Sequence, residues 1–431
     1  MAKDCSPFEL QEGHERAIQY FSKISAHSTI LHFRSAVQKE FEDSPVAYYD
    51  NRRQAWCAGR YIGESSFIFD GLRYRITILP RFGQAQLFRM LEAVMNIRLT
   101  RSLYERSRED QAALMKRLIA FLWLQLLNKA GVQGFPTQKL SRRYEGVQIK
   151  GRMDVRESIK KVHTVEKVVS HQSYKAKDLM ITRMLKQCHS LLAREFGLKD
   201  FRPSQVAQNI INEISQGSGA DRYISIKDYK SIKYNALFRN YEPLIDLSWN
   251  ILKNRQYGKA YKSVKHQAEI LIDMAELWEL YLRSILKKSL QPQGWHLIPE
   301  EYITYEGKDF RRKLIPDIVF QRNSDYLLWD AKYKAMSFDY RDYDRSDFFQ
   351  IHTYASYLSG KGNLRCAGLL YPLSTEFTEE KKQRNRSESI FLSCQNRTSF
   401  HIDGVECHSL ENDNWPEREA EFIERVNEII Q

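Results

Sequence analysis

Leu314-Ile315-Pro316-Asp317-Ile318-Val319-Phe320 and Tyr326-Leu327-Leu328-Trp329-Asp330-Ala331-Lys332 are two short apolar runs joined through Arg322-Asn323-Ser324-Asp325, a turn-forming tetrapeptide. Read as a β-hairpin, each strand carries one carboxylate in otherwise apolar company. The period of two puts Asp330 and Lys332 on the same face. A buried carboxylate is costly unless it is paired or binds a metal. Taken singly, each residue reads as an edge charge or as a lysine with its stem on apolar surface. Taken together, they predict two acids holding a divalent cation and a lysine reaching the reacting water. Lys334, two residues on, is the second choice on that face.

Such a set suits phosphodiester hydrolysis, where the substrate oxygens are negative and the leaving alkoxide is poor. Mg²⁺ prefers hard oxygen ligands, often one or two carboxylates completed by phosphate and water, and Mn²⁺ is an expected substitute. The ion neutralises phosphate charge and activates water. A lysine beside it can orient or deprotonate that water.

Pro316-Asp317 followed by Asp330-Ala331-Lys332 resembles the core of the PD-(D/E)XK nucleases. The resemblance implies metal ligation by Asp317, Asp330 and the Ala331 carbonyl, with Lys332 acting on the water. It also implies an acidic residue from an upstream helix. In Asp273-Met274-Ala275-Glu276-Leu277-Trp278-Glu279 that residue is Glu276 or Glu279, with Glu279 preferred. Downstream, Gln350-Ile351-His352-Thr353-Tyr354 resembles the Q-x-x-x-Y helix of several members. Gln350 and Tyr354 lie one turn apart on one face, with Gln350 expected in the catalytic set and Tyr354 at the DNA.

A wider likeness surrounds this core. Ile76-Thr77-Ile78-Leu79-Pro80-Arg81-Phe82-Gly83 with Arg89-Met90-Leu91, Tyr144, Lys150-Gly151-Arg152-Met153-Asp154, Leu271 to Glu279, and Gly368-Leu369-Leu370-Tyr371-Pro372 resemble McrC, the nuclease subunit of McrBC-type modification-dependent restriction systems. The resemblance implies a Mg²⁺-dependent endodeoxyribonuclease in antiviral defence, cutting DNA that carries modified bases. It also implies a McrB-like GTPase AAA+ partner in a hetero-oligomeric complex. The chain has no Gly-x-x-x-x-Gly-Lys-Ser/Thr segment, so the motor belongs to another subunit. The rival expectations are a DNA-binding assembly subunit that does not cut and a stand-alone nuclease of the same superfamily. The stretch from 164 to 261 has no assigned role.

The rest of the chain agrees with a basic, folded protein. Among 431 residues, 66 Lys and Arg oppose 54 Asp and Glu for a net charge of +12, which favours a polyanionic partner. Arg142-Arg143, Lys160-Lys161, Arg311-Arg312-Lys313 and Lys381-Lys382 are basic clusters. Arg311, Arg312 and Lys313, just before the first acidic strand, are the expected DNA contacts. Tyr333, Tyr340 and Tyr343 read as packing residues near the core. Six scattered cysteines without a CxxC pair fit reduced thiols. The apolar run Leu118–Leu127 is too short to span a bilayer and the N-terminus lacks a signal-peptide core, so a cytoplasmic protein is expected.

Three parts are predicted within an α/β fold: a β-rich region over 1–100 that docks to the motor, a mainly helical middle over 101–255, and a restriction-endonuclease-like domain over 256–431. The segment 131–154 reads as turn-rich and basic. Val264, Ala268, Leu271, Ala275, Trp278, Leu282 and Ile285 predict one long buried helix stripe. Helices are also expected over Gln86–Arg98, Arg108–Lys129, Ser346–Leu358 and Pro416–Ile430, and a strand over Cys366–Tyr371.

Overall fold

The computed structural model describes residues 29–31, 47–50, 55–69, 72–95, 111–165, 167–216, 224–260, 270–298, 301–305, 313–334, 345–373, 390–391, 397–407 and 414–430. In chain order the strands are β1 (Thr29–Leu31), β2 (Ala47–Asp50), β3 (Ala55–Ala58), β4 (Tyr61–Phe69), β5 (Leu72–Ile78), β6 (Thr137–Gly146), β7 (Arg152–Met153) and β8 (Val168–Lys177). They continue with β9 (Ile270–Asp273), β10 (His296–Leu297), β11 (Tyr302–Ile303), β12 (Lys313–Leu314), β13 (Ile318–Arg322), β14 (Asp325–Ala331), β15 (Asn363–Leu373) and β16 (Ser399–Glu406). The α-helices are α1 (Gly83–Met95), α2 (Gln111–Gly131), α3 (Val155–Val165), α4 (Leu179–Glu195) and α5 (Gln205–Ser215). After them come α6 (Ile226–Lys230), α7 (Tyr241–Ala260), α8 (Met274–Leu290), α9 (Arg345–Ser359) and α10 (Trp415–Ile430). This mixture of helix and sheet is that of an α/β protein. No helix among the described residues is long and apolar enough to cross a membrane.

The chain forms two compact units, one of residues 1–109 with 269–431 and one of residues 110–268. The expected separation of an N-terminal part from a C-terminal part does not hold. The reason is strand pairing: β9 runs parallel to β1 and antiparallel to β4, giving a sheet in the order β1-β9-β4-β5. The long helix expected from Val264 onward is corrected at the same place. Leu271 lies in β9, and α8 starts only at Met274; Val264 and Ala268 lie outside the described residues. Asp273 ends β9 and caps α8, accepting from the backbone N–H groups of Ala275 and Glu276 at 3.1 and 3.2 Å. Such a cap satisfies donors that a helix start leaves open. The Arg60 guanidinium grips the same carboxylate at 2.9 and 2.6 Å. A residue just before β4 therefore fixes where α8 begins.

In the first unit the main sheet has the order β10-β13-β14-β15-β16. β13 and β14 form the expected antiparallel hairpin, and Asn323 in its turn has φ 57°, a left-handed conformation that asparagine tolerates. β15 lies parallel to β14, and β16 parallel to β15. Parallel neighbours need a crossover connection, and α9 lies in the one between β14 and β15. α9 packs Ile351, Tyr354, Ala355 and Leu358 against Val319, Leu328, Ala367, Leu369 and Tyr371. From α8, the Trp278 indole donates to the Leu370 carbonyl at 3.2 Å. The expected strand Leu314–Phe320 is two pieces, β12 and β13, because Pro316 supplies no ladder donor; Asp317 sits in the bend before β13 rather than inside a strand.

In the second unit α2, α4, α5 and α7 share a core that includes Leu118, Trp123, Leu185, Ile210, Ile214 and Ile251. Trp123 donates to Ser248 Oγ at 2.8 Å across the α2–α7 contact. Two expectations are corrected here. The basic segment after residue 131 holds the ten-residue strand β6, and the helical middle holds its ten-residue partner β8. One face is mostly polar and the other mixes Leu140, Tyr144, Tyr174 and Ala176 with Arg142 and Gln172, so the period-two apolar pattern of a half-buried strand is weak.

Candidate active site

The end of β14 and the bend before β13 bring Asp317, Asp330 and Lys332 together. Ala331 donates its backbone N–H to Asp317 Oδ2 at 2.8 Å, so the second strand of the hairpin holds the carboxylate of the first. Lys332 follows the last residue of β14, and its backbone N–H still pairs with the Leu370 carbonyl of β15 at 2.9 Å. Sheet hydrogen bonding thus fixes the lysine backbone although the strand has ended.

Asp330 has no exposed surface. Lys332 Nζ pairs with its Oδ2 at 2.6 Å, and the buried Oδ1 has no hydrogen-bond partner among the described residues. The ammonium also donates to Gln350 Oε1 at 2.6 Å. A buried carboxylate left this way is expensive, and an oxygen-seeking cation is the ligand that would satisfy it. Asp317 is half-buried as a residue, with its carboxyl group enclosed. Burial and the neighbouring Asp330 charge push that carboxyl up to about 7. Asp330 is also raised, chiefly by burial, with Lys332 opposing the shift. Burial disfavours the Lys332 ammonium, but the charges of Asp330, Asp347 and Asp317 outweigh it and raise the lysine. Excess negative charge in an enclosed place, held in check by one ammonium, is the electrostatic signature of a cation site.

The expected helix residues fall as follows. Gln350 sits on α9 and donates its amide to Tyr354 Oη at 3.0 Å, and that hydroxyl donates to the Ile315 carbonyl at 3.3 Å. Lys332, Gln350, Tyr354 and the chain just before Asp317 therefore form one relay. Tyr354 is only 9% exposed. Its hydroxyl, expected at the DNA, is engaged with Gln350 and the Ile315 carbonyl. Glu279 on α8 is close enough to raise Asp330, but its carboxylate pairs with Arg283 at 2.9 Å. Glu276 is buried on the same helix. Among the described residues no group of three or more His, Cys, Asp or Glu converges as a metal-binding cluster. The structure thus offers two carboxylates and the Ala331 backbone, with Glu279 held by Arg283. Lys313 pairs with Glu301 at 2.5 Å on the exposed β11–β12 ribbon. Arg311, Arg312, Tyr340, Tyr343, Lys381 and Lys382 lie outside the described residues.

Two residues of this site escaped the sequence reading. Asp347, 4% exposed in the first turn of α9, accepts from Tyr371 Oη at 3.0 Å and from Lys334 Nζ at 3.1 Å, and lies 3.5 Å from Lys332 Nζ. Its signal was its place three residues before Gln350, on the same helix face. Arg283 donates from Nε to the Asp317 carbonyl at 2.8 Å and also through Nη2. That bond ties α8 to the acidic bend. From the N-terminal part, Arg81 donates to the Tyr333 carbonyl at 3.3 Å and lies over its ring, and Phe82 packs edge-on against Tyr333. Lys334, the second-choice lysine, belongs to Asp347.

The family model described as "McrBC 5-methylcytosine restriction system component" matches residues 59–372, the span that includes Arg60, the hairpin and α9. The chain belongs to that family. A chain of the Thermococcus gammatolerans assembly of McrB AAA+ hexamers with bound McrC is similar in fold along the whole length. Its TM-score is 0.56 at 14% identity, covering 99% of this chain and 98% of that one. A chain of the cryo-EM structure of the Thermococcus gammatolerans McrBC complex matches with a TM-score of 0.38 at 14% identity, over 67% of this chain and 86% of that one. No curated protein sequence matches.

Proposed function

We propose that this McrC-like chain is the DNA-cutting subunit of its restriction system, a Mg²⁺-dependent endodeoxyribonuclease of the PD-(D/E)XK type, with Mn²⁺ as a working substitute. The observation that carries the reading is Asp330: a buried carboxylate whose Oδ1 has no hydrogen-bond partner among the described residues and whose Oδ2 pairs with an ammonium, beside a second raised carboxylate. Asp317, Asp330 and the Ala331 carbonyl would hold the cation, a ligand number that suits Mg²⁺ once phosphate and water are added. The bound ion would supply charge neutralisation at the phosphate and Lewis acidity. Lys332, held charged by three carboxylates, orients the attacking water and faces the developing negative charge. Gln350 and Asp347 keep its ammonium in place, and Tyr354 keeps Gln350 in place. Arg283 holds the Asp317 backbone, and a shift of Glu279 away from Arg283 would add a third carboxylate.

The partner and the target follow from the family. The chain would work in the cytoplasm within a hetero-oligomer whose AAA+ GTPase finds and moves modified DNA, the N-terminal part docking to that motor. A subunit that binds DNA without cutting is the second reading, favoured by the lack of a three-carboxylate cluster among the described residues.

Plasmid cleavage tests both. Wild type, Asp330→Ala and Lys332→Ala would be incubated with modified and unmodified plasmid, Mg²⁺ and, in half the reactions, the AAA+ GTPase with GTP. Cutting by wild type that both variants lose supports the proposal. Equal cutting by the variants places the active site elsewhere. DNA binding without cutting in every reaction favours the assembly subunit.

A further inference from the structure

Asp347 places a carboxylate in the first turn of α9, where the helix dipole favours negative charge. The fold then encloses it. Its Oδ2 accepts from Tyr371 Oη at 3.0 Å and from Lys334 Nζ at 3.1 Å. Tyr371 comes from β15 and is 2% exposed, so the carboxylate is tied to the sheet beneath the helix. Its Oδ1 lies 3.4 Å from Lys334 Nζ and 3.5 Å from Lys332 Nζ. The second of these is within ion-pair reach but longer than an ordinary charged hydrogen bond of about 2.8 Å.

The Lys332 ammonium therefore stands near two carboxylates and is seated on one of them. An ammonium has three N–H donors. Asp330 Oδ2 and Gln350 Oε1 each lie 2.6 Å from Nζ, and Tyr354 holds Gln350 from behind. Among the described residues Asp347 is the other carboxylate within ion-pair distance of this ammonium. A divalent cation that took Asp330 would meet the ammonium on the same carboxylate. Two cations so close in an enclosed place repel strongly, so the ammonium must give up that seat. A movement of about 1 Å toward Asp347 Oδ1 brings it to ordinary bonding distance, and the Gln350 acceptor lies beside it in either position.

We propose that Asp347 is the second seat of the Lys332 ammonium, a positioning residue that receives it when a divalent cation displaces it from Asp330. The inference rests on the cation-site reading and adds to it a role for a carboxylate that is not one of the metal ligands. Tyr371 and Lys334 hold Asp347 on α9, which keeps it from following the cation to Asp330. Without the second seat, the ammonium stays on Asp330 and competes with the cation. Cation affinity should therefore depend on Asp347 only while Lys332 is present.

The test is Mn²⁺ binding to the full chain without DNA, read from the paramagnetic resonance signal of the free ion. Asp330→Ala should lose the binding that wild type shows. Asp347→Asn should weaken it about ten-fold, the range usual for residues one layer from a metal. Lys332→Met should bind at least as tightly as wild type. Adding Asp347→Asn to Lys332→Met should then change affinity by no more than about two-fold, since the coupled partner is gone. Tyr371→Phe removes the same buried hydrogen bond without a charge and should change binding by clearly less than Asp347→Asn. Binding that Asp330→Ala retains overturns the cation reading and this inference with it. Asp330-dependent binding that Asp347→Asn leaves intact overturns the inference alone. So does an equal loss from Asp347→Asn with and without Lys332, because Asp347 would then act on the cation directly. A loss in Tyr371→Phe as large as in Asp347→Asn also overturns it, making the α9–β15 packing the cause.

Discussion

The β13–β14 hairpin and the β6–β8 ribbon are both antiparallel pairs rich in charge, and they treat that charge in opposite ways. At the open end of the hairpin the charges of Asp317, Asp330 and Lys332 are largely enclosed. Asp330 has no exposed surface, and each ionised group there is sensed by several others. In the ribbon the charges stand in water, where screening weakens each pair interaction. An enclosed charge must be matched by a neighbour or a ligand, so its partners can be named from the structure. A solvated charge leaves stability nearly unchanged.

The comparison can be broken at four points of decreasing effect. Removing an enclosed charge of the proposed active site should act most strongly: Asp330→Ala or Lys332→Ala should lower plasmid cleavage by about a thousand-fold or more. That exceeds the 10–100-fold usual for residues one layer out, and Asp347→Asn should fall within that smaller range. Cleavage rates that rank Asp347 above Asp330 would move the centre of the site.

Second, Asp403 and Arg425 form a buried pair, 2% and 7% exposed and 3.0 Å apart. Arg425→Ala should cost roughly 3–5 kcal/mol in urea unfolding because it strands a buried carboxylate. A loss below about 1 kcal/mol would show that the sheet end opens to water.

Third, Asp317 is held up to about 7 from an ordinary 3.8. A carboxyl whose folded value is raised stabilises the fold fully at acid pH and loses that contribution as pH rises through the folded value. In chelator, the unfolding midpoint should therefore fall as pH rises from about 4 to about 7 and level off above that, and Asp317→Asn should flatten the fall. An undiminished slope in the variant would assign it to other groups.

The smallest effect is expected in water, where Lys139 of β6 stands opposite Lys175 of β8. Lys139→Ala/Lys175→Ala should shift unfolding stability by no more than about 0.5 kcal/mol, and in the favourable direction because facing like charges are removed. A marked loss would mean that the ribbon is packed rather than free.

Much of the site was legible because its residues lie close in sequence. Asp317, Asp330 and Lys332 share one hairpin, whose turn chemistry and apolar runs are local signals. Gln350 and Tyr354 share one helix face. Asp347 was passed over because an acid in a first helical turn is ordinary, and only its contacts with Lys332, Lys334 and Tyr371 distinguish it. Tyr354 read as a DNA contact because sequence does not tell whether a tyrosine hydroxyl points out or, as here, to the Ile315 carbonyl. The ribbon was hidden for a related reason. Strands whose half-covered face mixes apolar with polar residues carry only a weak period-two pattern, and residues 137–177 read as turn and helix.

By itself the sequence determined the acidic hairpin, the α/β character, the basic excess and the family likeness, because each rests on residue order within short windows or on composition. Only the tertiary structure decided that β9 joins the two ends of the chain into one unit. It alone decided that Arg60 and Asp273 start α8 where they do, that Arg283 holds both Glu279 and the Asp317 backbone, and that Lys139 faces Lys175. Those facts join residues tens to hundreds of positions apart. Which distant groups meet is chosen by strand pairing and by the burial of shared apolar faces over the whole chain.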